Sequence, residues 1–108
     1  MQFGKSAALT FGMELEFQIV SASTGTLAPT SLAFWEILKH REDMARYSLE
    51  ATLSTIELNT SVHTDADDMA AQVMALTQTL CNIAGPMGLL IRGCLLYTSP
   101  SPRDRTRS

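Results

Sequence analysis

From Phe11 to Ile19 apolar and polar residues alternate, with Met13, Leu15, Phe17 and Ile19 in one set and Gly12, Glu14, Glu16 and Gln18 in the other. A period of two belongs to a strand with one buried face. It predicts a first strand over about Leu9 to Val20, with Glu14 and Glu16 projecting together from the side opposite the core. The small polar cluster Ser21 to Thr26 reads as a hairpin turn or short loop, after which Leu27-Ala28 can resume pairing. Pro29-Thr30-Ser31 looks like a helix entry with a hydroxyl cap, and Phe34, Trp35, Ile37 and Leu38 recur at helical spacing. Together they predict a helix from about Leu32 to His40.

A second alternating run, Thr55 to Val62, repeats the design of the first. Ile56 and Leu58 share one face, while Glu57, Asn59 and Ser61 share the other. Upstream, Tyr47-Ser48-Leu49-Glu50-Ala51 is where the chain enters this strand, and Glu50 is a further acid beside it. A long amphipathic helix follows. Thr64 can cap it, and Asp65, Asp67 and Asp68 complement the positive end of its dipole. Met69, Val73, Leu76, Leu80, Ile83 and Met87 form the stripe that packs on a sheet. Pro86 is costly inside a helix, by about 3 kcal/mol, so the helix is expected to end near Gly85. Gly88 then turns the chain into a third strand at Leu89-Leu90-Ile91. The pattern as a whole is α+β, a mostly antiparallel sheet of three to four strands with two helices.

Composition narrows the function classes. The chain has 108 residues, 45% of them hydrophobic and 18% charged, and no apolar run approaches the ~20 residues of a membrane helix. The N-terminal Met1 to Ser6 carries one lysine and no long apolar stretch, so no secretory signal is expected and a cytoplasmic setting is the default. The net charge of -3 is unevenly distributed: Arg103, Arg105, Arg107 and Asp104 lie in the last six residues, leaving five basic and ten acidic side chains up to Gly93. An acidic body argues against a nucleic-acid partner, since phosphate neutralisation needs clustered Lys and Arg. Cys81 and Cys94 are too few and too isolated for a metal cluster or a disulfide framework.

Two carboxylates aimed from one strand face repel each other, and a divalent cation relieves that repulsion. Glu14 and Glu16 are therefore candidate metal ligands, with Glu57 as the third candidate acid. His40 and His63 have no ligand-spaced partner on a shared face and read as surface or turn residues. Cys81 reads as a small packed residue and Trp35 and the methionines as core. The chain contains no Gly-x-x-x-x-Gly-Lys-Ser/Thr phosphate loop or dinucleotide fingerprint.

The segment Cys94 to Asp104 breaks with everything before it. A Ser/Pro/Arg-rich disordered tail is one reading of its composition. The same eleven residues also match the in-frame translation of a transposase-based sequencing adapter. On that reading residues 94–108 are a non-native, disordered tail, and the natural protein is lost after about Gly93.

Three features in order carry a resemblance: Gly12-Met13-Glu14-Leu15-Glu16-Phe17, then Ser54-Thr55-Ile56-Glu57-Leu58-Asn59-Thr60, then a long helix ending before a Gly-Leu pair. From about Ala8 to Gly93 the chain resembles the N-terminal part of the glutamate-cysteine ligase-like carboxylate-amine ligases, which have a glutamine synthetase type of catalytic fold. Members of that family continue with a glycine-rich turn and a Thr-His-Pro segment where the adapter-like residues begin here. The resemblance implies an ATP-dependent ligase that joins an amino acid's carboxylate to an amine through an acyl phosphate, with glutamate and cysteine as the small-molecule substrates. It also implies magnesium, held by carboxylates at the positions of Glu14, Glu16 and Glu57, with Glu50 as an additional acidic position. Asn59 and Thr60 sit beside this set, within reach of a substrate. A piece of such an enzyme is expected to be inactive alone. Two other classes remain open on the residues themselves: a non-enzymatic metal or small-ligand binding domain, and an interaction domain whose strand acids are surface charge.

Overall fold

The computed structural model describes residues 10–100, with side chains described up to residue 93. The expected strand start at Leu9, the N-terminal Met1 to Ser6 and the tail beyond Pro100 lie outside the described residues, as do the side chains of Cys94 and Tyr97.

Four strands and two helices follow one another as β1 (Phe11–Ser21), α1 (Ser31–Leu38), β2 (Tyr47–Leu49), β3 (Thr55–Asn59), α2 (Ala66–Ala84) and β4 (Leu89–Pro100). A short 3-10 turn at Met44–Arg46 leads into β2 and another at Gly85–Met87 follows α2. The sheet order is β2-β3-β1-β4 and every pairing is antiparallel, so the fold is α+β as the residue pattern predicts. After β1, Gly25 turns the chain at φ 75. Pairing resumes at Leu27, bridged to Val20, with the Ala28 amide donating to Ile19. Tyr47–Leu49, expected only as an approach to the second alternating run, is a strand of its own that forms a hairpin with β3.

Both helices lie on the apolar face of the sheet. Phe17 and Ile19 of β1, Ile56 and Leu58 of β3, Tyr47 of β2, Phe34 and Leu38 of α1, and Leu76, Leu80 and Ala84 of α2 form one buried cluster. Burial of each large aliphatic or aromatic side chain contributes about 1.5–3 kcal/mol relative to exposure. The Tyr47 hydroxyl donates to the Leu76 carbonyl at 3.2 Å, which ties the edge strand to α2.

Several local expectations are corrected. Thr30 precedes α1 but makes no side-chain cap; its hydroxyl turns back to the Ala28 carbonyl at 3.4 Å. The first orphan amide of the helix, Ser31 N–H, donates to the Leu53 carbonyl instead. Eight residues of helix present one narrow face to the core. Phe34 and Leu38, one turn apart, take it completely, whereas Ile37 is displaced to solvent and Trp35 is half-buried. The cap of α2 is Asp65, whose Oδ1 accepts from the Asp67 amide at 2.8 Å, and not Thr64. Met87 lies past the end of α2 and is 38% exposed, and Cys81, expected to be packed, sits on the helix's solvent side. Gly85 closes α2 and Gly88 adopts φ 74, the left-handed turn into β4.

β4 continues past Ile91 to Pro100, pairing with β1 as far as Phe11. It therefore includes seven residues of the segment expected to be disordered. Main-chain ladder bonds tolerate many side chains, and Leu95, Leu96, Tyr97 and Thr98 are all compatible with a strand. The register slips by one between Phe17, opposite Gly93, and Glu16, opposite Leu95, leaving Cys94 as the extra residue of a bulge.

Candidate metal and substrate site

The second face of the sheet bears the acids, and the strand register decides which of them meet. Glu16 on β1 lies directly opposite Glu57 on β3, Glu14 lies opposite Asn59, and Ser48 on β2 lies opposite Glu57 from the other side. Directly opposed residues of antiparallel strands have Cβ atoms about 4.5–5.5 Å apart. Glu50 follows β2 by one residue and completes the row. The structure thus brings all four sequence-predicted acids to one place, each of them half-buried.

The electrostatics of Glu57 record the convergence. Its carboxyl is held above the usual carboxylate range, first by burial, then by the charge of Glu50 and of Glu14, by a hydrogen bond with Glu50 and by the charge of Glu16. Among the described residues, no group of three or more His, Cys, Asp or Glu side chains is spaced to hold a metal ion as it stands. The four acids therefore fit a hard, oxygen-seeking cation in donor chemistry but are not arranged as a finished coordination shell.

Thr60 has a different part from the substrate contact that its position suggests. Its Oγ1 accepts from the Met13 amide at 2.9 Å and its own amide donates to the Met13 carbonyl at 3.0 Å, so it extends the β1–β3 ladder beside Glu14. His63 likewise is more than a turn residue. It bridges to Phe11, and its Nε2 lies 2.7 Å from Gln72 Oε1. That same oxygen accepts from the Ser61 amide, which pins the β3–α2 connection to the helix. His40 is exposed. Ser48, Gln18 and Arg92 also share the acid face and are absent from the sequence-level site. The same alternation that found Glu14 and Glu16 could have placed Gln18, and continuing it through Leu89 to Arg92 could have placed the arginine.

No protein-family model matches the chain. Curated relatives do, among them proteins named "Putative glutamate--cysteine ligase 2" from Leptothrix cholodnii, 32% identical over 92 residues, and from Herminiimonas arsenicoxydans, 34% identical over 93 residues, and one named "Putative glutamate--cysteine ligase 2-2" from Legionella pneumophila strain Lens, 31% identical over 93 residues. The matches cover 85%, 86% and 86% of this chain and 25%, 25% and 24% of those proteins. The chain is homologous to a region of a larger ligase-type protein. That region belongs to proteins of the glutamate-cysteine ligase-like kind, and the chain spans about a quarter of the length of the curated relatives it matches.

Proposed function

We propose that this chain forms part of an ATP-dependent carboxylate-amine ligase, with glutamate and cysteine as the pair joined, and that Glu14, Glu16, Glu57 and Glu50 hold its magnesium. The observation that carries the proposal is the convergence of four half-buried carboxyl groups on one sheet face, where burial first and the other three acids next raise the Glu57 carboxyl above its usual range. The names of the homologues supply the reaction class. Carboxyl groups crowded in this way carry an unfavourable charge density that a divalent cation offsets, and their oxygens are the donors magnesium prefers. When bound, magnesium supplies positive charge that neutralises phosphate oxygens while a carboxylate is activated as an acyl phosphate. The chain's own contribution is to fix these oxygens on paired strands, with Glu16 and Glu57 in register and Glu50 just past the end of β2. The remaining groups of such a reaction lie on the rest of the larger protein, so the chain alone binds the cation and does not turn over.

Isothermal titration of the chain with magnesium at neutral pH tests the site. Saturable binding is expected, weakened about tenfold or more by Glu14→Gln, Glu16→Gln or Glu57→Gln, because affinity follows the number of charged ligands. Binding that is absent, or indifferent to all three substitutions, rejects the site.

A further inference from the structure

The face that carries the acids also carries a guanidinium. Arg92 lies on β4 opposite Gln18, and its Nε and Nη2 both donate to Gln18 Oε1, at 3.1 and 2.6 Å. Leu89 and Ile91 pack toward the core, so alternation turns Arg92 to the other side of the sheet, into one row with Gln18. Gln18 in turn follows Glu16 by two residues on the same face of β1, a step of about 6.6 Å at the strand rise.

The partner of Arg92 is what distinguishes it. Lys39 pairs with Glu36 and Arg41 with Asp43; among the described residues Arg92, like Arg46, makes no ion pair with a carboxylate, but Arg92 is held by a side-chain amide oxygen. A neutral amide oxygen orients the guanidinium without cancelling its charge. Two of the five N–H donors that a guanidinium carries are used on Gln18, which leaves the Nη1 edge to a ligand. A planar guanidinium in fixed orientation suits a carboxylate or phosphate, which it grips with two parallel hydrogen bonds. Unlike charges on one face of the sheet suit a ligand that presents positive charge to the acids and an oxyanion to the guanidinium.

We infer that Arg92, oriented by Gln18, binds the oxyanion of the ligand whose cationic end or bound magnesium rests on Glu14, Glu16 and Glu57, and so helps to select the substrate. The inference rests on the cation site proposed above and reaches beyond it to a residue for recognition. Proton–nitrogen correlation spectra report the Arg92 Nε–H directly, so the wild-type chain can be titrated with inorganic phosphate and, separately, with glutamate, each with and without magnesium. A saturable shift of that resonance is expected with one of the two anions, which identifies phosphate or carboxylate as the source, and tightening is expected when magnesium is present. Arg92→Gln should weaken anion binding about tenfold or more while leaving magnesium affinity and the backbone spectrum unchanged, and Arg92→Lys should recover part of the loss. Magnesium binding without an Arg92-dependent anion effect overturns this inference and leaves the cation site standing. Arg92-dependent anion binding in a chain that ignores magnesium upholds the arginine and removes the cation site. Failure of both removes both.

Discussion

Thr60 shows how much a single hydroxyl can decide. It is buried to 9% exposure, and its side chain takes the place of a ladder acceptor for the Met13 amide, next to Glu14. Thr60→Val keeps the volume and removes the acceptor, leaving that amide without its partner. An unsatisfied buried donor costs about 1–3 kcal/mol, so urea denaturation of the valine variant should show a loss in that range, and Thr60→Ser should restore most of it. A valine variant as stable as the wild type would mean that the Met13 amide finds another acceptor.

At the scale of the element, α2 is set by its first turn as much as by its apolar stripe. Asp65 accepts from the Asp67 amide, and Asp67 and Asp68 lie in the same turn, where negative charge faces the positive end of the helix dipole. Asp65→Ala should destabilise the chain by about 1 kcal/mol, seen as a lower midpoint in thermal unfolding, while Thr64→Ala should leave it unchanged. A larger effect at Thr64 than at Asp65 would relocate the cap. The sheet obeys a similar local logic. Tyr47, Ile56 and Leu58 hold the short β2–β3 hairpin against the helices, and this hairpin carries Ser48 and Glu57 to the opposite face.

At the scale of the whole molecule, Glu57 makes stability depend on pH. Glu57 has its carboxyl raised above the ordinary value in the folded state. The folded chain therefore holds that proton more tightly than the unfolded chain, so its contribution favours folding once pH is below both values. That contribution is lost as pH rises through the folded value. Glu57→Gln should thus stabilise the magnesium-free chain at neutral pH, with the difference from wild type vanishing in acid. Denaturant melts at neutral pH and at about pH 3, below the ordinary Glu value, check both arms; a glutamine variant less stable than wild type at neutral pH would contradict the crowding. Substitution at this one position is expected to gain stability and lose magnesium. Leu32, Val62, Met74 and Leu90 are each more than half exposed. No described helix is long and apolar enough to cross a membrane.

The alternation of Met13 to Ile19 and of Thr55 to Asn59 determined the two site strands, their buried faces and the acids on their outer faces, because side-chain direction along a strand follows from its period of two. The stripe of α2 and the glycines that end it were equally legible, since helix packing and left-handed turns depend on local residue type. Period alone cannot say which residue of one strand faces which of another. Only the pairing register set Glu16 against Glu57 and Glu14 against Asn59, and only the hairpin brought Glu50 close enough for its charge to act on Glu57. The meeting of Arg92 with Gln18 was illegible for the same reason: 74 residues separate the two in sequence, and only the β1–β4 pairing sets them side by side. The cap at Asp65, the exposure of Cys81 and Ile37, and the strand that runs on to Pro100 depend on backbone geometry and on neighbouring elements, which are properties of the folded chain.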